Sequence, residues 1–287
     1  MMSTDKTRAV TESADARFDT RVTFYSETVK AWIPNQHARI LIVGAEDNDL
    51  QVFEHLGFTD VTLLNLGFRC PPLPDGWAFT HGDGHSLPFP DRSFDAVVTH
   101  ATLHHCRSPH RVLLEMYRVA REDVVFIEAR DSSLMRWMEF FGVTQSYEVT
   151  AVFGNGGIRG GVDDTEIPNF VFRWTERDVE KTVSTYAPHV RHDYSYRYAL
   201  DLPQTPAALR NGFFSQRFVQ ALRPLSHLLG LVLGRQQNLF AARIHKPQGR
   251  DGLQPWLEWR ADGSPGFNRR WALSRFRSAE SDRHPAG

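Results

Sequence analysis

The sequence predicts an α/β fold built on an open, mostly parallel sheet with helices on both faces. Two observations carry that expectation. The runs Ile40-Leu41-Ile42-Val43, Val61-Thr62-Leu63-Leu64, Phe94-Asp95-Ala96-Val97-Val98-Thr99-His100 and Val124-Val125-Phe126-Ile127-Glu128 are short and nearly continuous in apolar character, as strands buried on both faces are. Helical stretches of about 10–15 residues separate them, the rhythm of right-handed βαβ units. A third observation locates function: the strand Phe94 to His100 runs into a polar, histidine-rich edge, and open sheets of this kind place ligands at the carboxyl ends of their strands.

The elements follow in order. Residues 1–14, rich in Thr, Ser and charge, read as a disordered leader. From Ala16 to Ile33 the positions Phe18, Val22, Tyr25, Val29 and Trp32 recur at helical spacing, and Pro34 stops the helix. Gly44 ends the first strand, and a helix from Asp49 to Leu56 stops at Gly57. The proline-bearing linker Arg69 to Trp77 leads through Phe79 to a turn at Asp83. A second turn, built from Pro88, Pro90, Asp91 and Ser93, precedes the Phe94 strand. The helix that follows the histidines presents Val112, Leu113, Met116, Val119 and Ala120 on one face. Beyond the Val124 strand the rhythm breaks: an aromatic-rich helix from Ser132 to Phe141 precedes a glycine-rich loop, Phe153 to Gly161. Thr175 reads as the N-cap of a helix running to Tyr186. Tyr194, Tyr196 and Tyr198 alternate with polar residues as on a half-exposed strand, and Leu239 to His245 is the last strand. Between these two lies an apolar helical insert, Ala207 to Gly234. The polar tail 248–287 holds Trp256, Trp259, Phe267 and Trp271, which predicts that it docks in part.

Composition narrows the function. A chain of 287 residues suits one decorated α/β domain, here 15–247, with lid insertions at 131–173 and 202–236. Its net charge of −1 provides no global basic field for nucleic acid. Cys70 and Cys106 are too few for a disulfide framework or a thiolate zinc site. The amino terminus lacks an apolar signal core, and the longest apolar stretch, Leu225 to Leu233, falls short of the roughly 20 residues of a spanning helix. The expectation is a soluble, cytoplasmic protein without integral membrane association. His81 and His85 have the spacing of a helical metal pair, but Gly82, Gly84 and Pro88 argue against a helix there, so no metal is expected.

Five pieces in register carry a resemblance: Asp83-Gly84, Leu87-Pro88-Phe89, Phe94-Asp95, His104-His105 and Glu115-Met116-Tyr117-Arg118-Val119. Together they resemble the class I S-adenosylmethionine-dependent methyltransferases, in particular the branch related to ubiquinone and menaquinone pathways. The resemblance implies a Rossmann-like seven-stranded sheet with an antiparallel edge strand and helical lid insertions. It also implies S-adenosyl-L-methionine as cofactor and an amino-terminal helix, bearing Tyr25, as a cover over it. The family's glycine-rich loop is degenerate here, since Val43-Gly44-Ala45-Glu46-Asp47-Asn48-Asp49 keeps only Gly44. A β-carbon at the later positions hinders close approach and disfavours positive φ.

The resemblance assigns cofactor contacts to Gly44, Ala45, Glu46, Asn65, Asp83, Gly84, His85 and His100. Asn65 stands where the family has a ribose-binding carboxylate, so Asn65→Asp is expected to be tolerated and to tighten binding. Asp83 matches the adenine-binding acid; from position alone it reads equally well as a turn-capping Asp, and its register with Leu87-Pro88-Phe89 puts the adenine reading first. Asp95 reads as a strand-start brace, and Glu115 with Arg118 as an i,i+3 ion pair.

Methyl transfer from a sulfonium needs an aligned acceptor and a dry site, and an oxygen acceptor also benefits from a base. One of His100, His104 and His105 is the candidate base, His104 ahead and His100 next; structural packing is the alternative for each histidine. Tyr147, Glu148 and Arg173, in the first insertion, are the candidate acceptor contacts. The expected function is methylation of a small-molecule acceptor, at a hydroxyl of a sugar, lipid or secondary metabolite. The alternative is a methyltransferase-like binding subunit that has lost methyl transfer.

Overall fold

The computed structural model describes residues 20–67, 70, 72–140, 144–201, 234–248 and 252–281. The leader 1–14 lies outside them, as does the insert Ala207 to Gly234 apart from Gly234 itself. The elements are α1 (Thr20–Trp32), β1 (Ile40–Val43), α2 (Asp47–His55), β2 (Val61–Asn65), β3 (Trp77–His81), β4 (Phe94–His100), α3 (Pro109–Val119) and β5 (Ala120–Ala129). They continue with α4 (Ser133–Phe140), α5 (Val149–Gly154), α6 (Glu176–Tyr186), β6 (Asp193–Ala199), β7 (Leu239–His245), β8 (Leu257–Trp259), β9 (Pro265–Phe267) and α7 (Arg269–Ser281). The seven-stranded sheet runs β3-β2-β1-β4-β5-β7-β6, with β7 antiparallel to both its neighbours. This is the Rossmann-like class I methyltransferase sheet that the motifs predict, with its antiparallel edge pair.

The continuous apolar runs exist because both faces of the sheet are covered. Ile40, Ile42, Ala96, Val98, Val125 and Ile127 share one core with Tyr25 and Val29 of α1 and Val52 and Phe53 of α2. Leu41, Val43, Val97, Val124 and Phe126 pack into the other, with Val112, Leu113 and Met116 of α3 and Val179 and Val183 of α6. Full burial of each such side chain contributes about 1.5–3 kcal/mol.

Where the elements differ from expectation, polar contacts explain the difference. α2 begins two residues early because the Asp49 carboxylate accepts the Glu46 N–H at 2.9 Å, closing a capping box. β5 begins at Ala120 because Asp123, nearly buried, is matched across the strands by Arg243 (2.7 Å) and His245 (2.8 Å) of β7. Thr175 caps α6 as read, its hydroxyl accepting from Asp178 N at 3.2 Å. Asp95 is the brace expected of it, accepting from Arg39 N at 2.9 Å and Arg121 Nη1 at 2.7 Å.

Two further contacts position the site. The Arg118 guanidinium binds Glu115 while donating to the Leu87 and Phe89 carbonyls at 2.9 and 2.8 Å, and the Leu87 N–H donates back to Glu115 at 2.9 Å. The Leu87-Pro88-Phe89 turn is thereby fastened to α3. The insertion after β5 is closed at its base by Trp174 N donating to Ala129 O and Asp131 N donating to Trp174 O, both 2.9 Å.

The tail forms the β8–β9 hairpin and α7, and its backbone meets the domain where Arg191 N donates to Gly252 O and Gln254 N to His189 O. Among the described residues no helix is long and apolar enough to cross a membrane.

Trp174 is fully buried, with its ring 5.3 Å from Phe126 and 5.0 Å from Phe172. Trp174→Ala leaves a large cavity and is expected to cost about 3–5 kcal/mol, read as a lowered urea midpoint.

Candidate active site

The carboxyl ends of β1, β2, β3 and β4 open into a cavity of about 450 Å³. Gly44 forms its floor at φ +73°, and a Cβ there would stand 2.1 Å from Thr102 Cγ2, so only glycine fits. Gly44 N and Ala45 N both donate to Leu64 O, at 2.8 and 3.1 Å, folding the loop back over β2. Glu46, Asn48 and Asp49 continue the wall. Ala45 departs from expectation: it is buried in the core and does not line the cavity, and its carbonyl serves the neighbouring Asn65.

The Asn65 amide bridges two loops, Nδ2 donating to Ala45 O at 2.8 Å and Oδ1 accepting from Gly67 N at 3.0 Å. These contacts argue against the expectation that Asp would improve on it. A carboxylate has no donor for the Ala45 carbonyl and would set two oxygens against each other. Asp83 Oδ1 accepts both His85 N (2.8 Å) and His85 Nδ1 (2.6 Å), while His85 Nε2 accepts Ser108 N at 3.2 Å. His85 is therefore a strut between the Asp83 turn and the start of α3. Asp83 stays partly open to the cavity, and its carboxyl is held below the usual range: the backbone and side-chain bonds from His85 outweigh the effect of burial. Gly84 sits where a Cβ would press on Val112 and Val43, at 3.1 and 3.2 Å.

His100 ends β4 and stacks on Tyr25 of α1, centroids 4.4 Å apart at 14°. The Tyr25 hydroxyl donates to Asp49 at 2.7 Å, so α1, the β1 loop and the end of β4 are tied through one ring. Asp49 was not among the residues that the sequence singled out, because nothing local announces a buried carboxyl. Burial pushes it up to about 7, against the lowering effect of its bonds from Tyr25 and Glu46.

The opposite flank is a 3-10 turn, Leu103–His105. Glu128, fully buried at the end of β5, accepts Leu103 N and His104 Nδ1, both at 2.6 Å. Glu148 comes down from the insertion, its Oε2 lying 3.5 Å from both His104 Nε2 and His105 Nε2. Burial opposes charge on His104, but the Glu128 and Glu148 carboxylates prevail and push its pKa up to about 10. Its two carboxylate neighbours thus favour the protonated form of His104, which argues for a donor rather than a base at this position. His105, about one-third exposed, is lowered by burial and by its charged neighbour. Sequence reading placed His105 behind His104 as a base, because its value depends on the charge placed on His104.

Of the candidate acceptor contacts, only Glu148 lines the cavity. Tyr147 is exposed and packs edge-on against Phe170 at 5.4 Å. Arg173 is a strut inside the insertion, with Nη2 donating to Gln145 O at 2.7 Å and Nη1 lying 3.4 Å from Glu139. The roof comes from Arg159, Gly160, Gly161, Asp163 and Asp164. It is pinned to the 3-10 turn's far side by the Arg107–Asp163 ion pair at 2.6 Å.

Residues 65–127 match the family model described as a methyltransferase domain. That stretch begins at Asn65 and includes Asp83, His104, His105 and Arg118, but not Gly44. No curated protein matches the chain. Among solved structures it is similar to the complex between the Haloferax volcanii Trm112 methyltransferase activator and a candidate methyltransferase, at 16% identity and TM-score 0.49, covering 80% of this chain and 91% of that one. It is also similar to the YcgJ protein of Bacillus subtilis, at 14% and 0.47, covering 80% and 99%. A third is an S-adenosylmethionine-dependent methyltransferase from Archaeoglobus fulgidus, at 12% and 0.46, covering 79% and 94%.

Two outcomes test this geometry. Asn65→Asp is expected to lower stability by about 1–3 kcal/mol through loss of the Ala45 bond, seen in urea unfolding. The second concerns Asp49, whose folded pKa lies above its unfolded value. From about pH 4 to pH 7 the folded protein holds a proton that the unfolded chain has lost, so this group's contribution to stability falls as pH rises. Asp49→Asn should therefore match the parent near pH 4 and exceed it at pH 8–9, by a difference on the order of a few kcal/mol in thermal or urea unfolding.

Proposed function

We propose that this chain is an S-adenosylmethionine-dependent methyltransferase acting on the hydroxyl oxygen of a small acceptor, such as a sugar, lipid or secondary metabolite. The observation that carries this reading is a single cavity joining two different chemistries. Gly44, Asn65, Asp83 and His85 stand at one side of it, and His104, His105 and Glu148 at the other. The residues present suit the cofactor. Gly44 allows backbone approach, Asp83 has a second carboxylate oxygen for the adenine amine, and Asn65 Oδ1 has a second lone pair for a ribose hydroxyl. Glu46 offers a carboxylate toward the cofactor's ammonium group. When bound, the cofactor supplies a sulfonium methyl, an electrophile that already carries its leaving group.

The chain's own residues then have two tasks. The first is to align the acceptor and exclude water, for which the roof from Arg159 to Asp164 is placed. The second is to dispose of the acceptor's proton. His104, held as an imidazolium, favours the acceptor oxygen in its ionised form by charge and hydrogen bonding. His105, held neutral beside it, is the member of the cluster able to take the proton. Cytoplasmic location and the absence of nucleic-acid or membrane partners belong to this same reading, supported by the chain's near-neutral charge and ordinary composition.

Titration calorimetry with S-adenosylhomocysteine tests the proposal. Saturable binding is expected, and Asp83→Ala should weaken it about 10- to 100-fold, the loss of one charge-assisted hydrogen bond of ~1.5–3 kcal/mol. No binding by the unmodified protein at millimolar ligand would instead make it a binding fold without methyl transfer. Unchanged affinity in Asp83→Ala would move the adenine site elsewhere.

A further inference from the structure

Two adjacent imidazoles and a carboxylate from the insertion aim their ligand atoms at one small space. His104 Nε2 and His105 Nε2 each lie 3.5 Å from Glu148 Oε2, and one ligand atom from each of the three residues falls within 4.8 Å of the others. Charge-assisted hydrogen bonds are shorter, at about 2.7–2.9 Å, so the three atoms surround a space rather than close on each other. Donors bound tetrahedrally to one ion at about 2.0–2.1 Å stand roughly 3.3 Å apart, close to the separations seen here.

A second observation stands behind His104. Its Nδ1 is bonded at 2.6 Å to Glu128, whose side chain is fully buried and whose other oxygen is taken by Leu103 N at 2.6 Å. A carboxylate so placed fixes the ring's orientation and turns Nε2 outward, which is the support that metal-bound histidines ordinarily have. The 3-10 turn brings the neighbouring His105 ring to 4.4 Å from that of His104, on the same side. An ion there would take the place of the proton that His104 holds in the free protein, so the two compete for one Nε2. By contrast, the His81 and His85 pair is no competitor, since His85 spends both ring nitrogens on Asp83 and Ser108.

We propose that His104, His105 and Glu148 bind one divalent first-row transition-metal ion, with Glu128 as a positioning residue. Two nitrogens and one oxygen favour zinc, iron, cobalt or nickel over magnesium or calcium, which take oxygen donors. Three protein ligands leave coordination positions open toward the cavity, where an acceptor hydroxyl would bind and lose its proton more readily. That role rests on the methyltransferase reading; the binding of the ion does not. In the loaded protein His104 and His105 are both ligands without a proton on Nε2, and the ion takes over both their tasks, stabilising the ionised acceptor oxygen and drawing off its proton.

The experiment uses the full chain, free of any affinity tag and stripped with a chelator. Cobalt(II) is titrated into it and followed by calorimetry and by its visible absorption. One ion per chain is expected. His105→Ala and Glu148→Gln, both at positions about one-third exposed, should fold and weaken binding at least 10-fold. Glu128→Gln should weaken it about 10- to 100-fold. Absence of saturable one-to-one binding, or equal affinity in His105→Ala and Glu148→Gln, overturns the inference and leaves the cluster's charge balanced by a proton. Calorimetry with S-adenosylhomocysteine on the same samples separates the two proposals. Cofactor binding without cobalt binding overturns the ion alone; cobalt binding without cofactor binding keeps the ion and removes its role in methyl transfer.

Discussion

The buried carboxylate of Glu128 is the constraint around which the active edge is built. A lone carboxylate removed from water costs several kcal/mol, so the chain must bring donors to it. It does so with Leu103 N and the His104 ring, and these two bonds dictate the tight turn that follows β4. The backbone accepts a cost to make that turn. Ala101 lies at φ +53°, a region that side-chain-bearing residues avoid, and is held there partly by its N–H donating to Ile127 O at 2.9 Å. One buried charge thereby sets the direction of both imidazoles and the charge state of the one it touches.

The other flank repeats the device with different residues. Glu115 accepts the Leu87 N–H as Glu128 accepts that of Leu103, and Arg118 completes the grip by donating to the Leu87 and Phe89 carbonyls. The turn so held carries Asp83 and His85, and the His85 ring reaches back to Ser108 at the start of α3. The cavity is consequently framed by two loops, each fixed through a carboxylate that accepts backbone N–H, while the floor between them is the rigid end of a sheet buried on both sides. Preorganisation of this sort spares a reaction the cost of ordering its own surroundings.

The strands β1, β2, β4 and β5 were legible because their apolar runs answer directly to two-sided burial, and the α6 cap because Thr175 and Asp178 act within one turn; β3, a half-exposed edge strand without such a run, was read only as linker and turn. Gly44 and Asp83 could be read from their places beside strand ends. Asn65 could be located but not understood, since its bond to Ala45 exists only once β1 and β2 lie side by side. The convergence of Glu148 on His104 and His105, and of Tyr25 on Asp49, depends on how distant segments pack, and no local pattern encodes it. Arg173 and Tyr147 had suitable chemistry in a suitable segment. Their directions are set by Glu139, Gln145 and Phe170, which turn them away from the cavity.

The closure at Ala129, Asp131 and Trp174 has a consequence for how such a protein changes over generations. The loop that supplies Glu148 and the roof leaves and rejoins the sheet at one small gate of two backbone hydrogen bonds. Closing a loop at a fixed gate grows costlier only with the logarithm of its length, about 0.6 kcal/mol for each doubling. Segments of other lengths and compositions can therefore be grafted onto this gate while the sheet, the Asp83 turn and the buried Glu128 stay as they are. The wall that this loop gives the cavity is in that sense a replaceable part, carried on a frame that need not be rebuilt when it is exchanged.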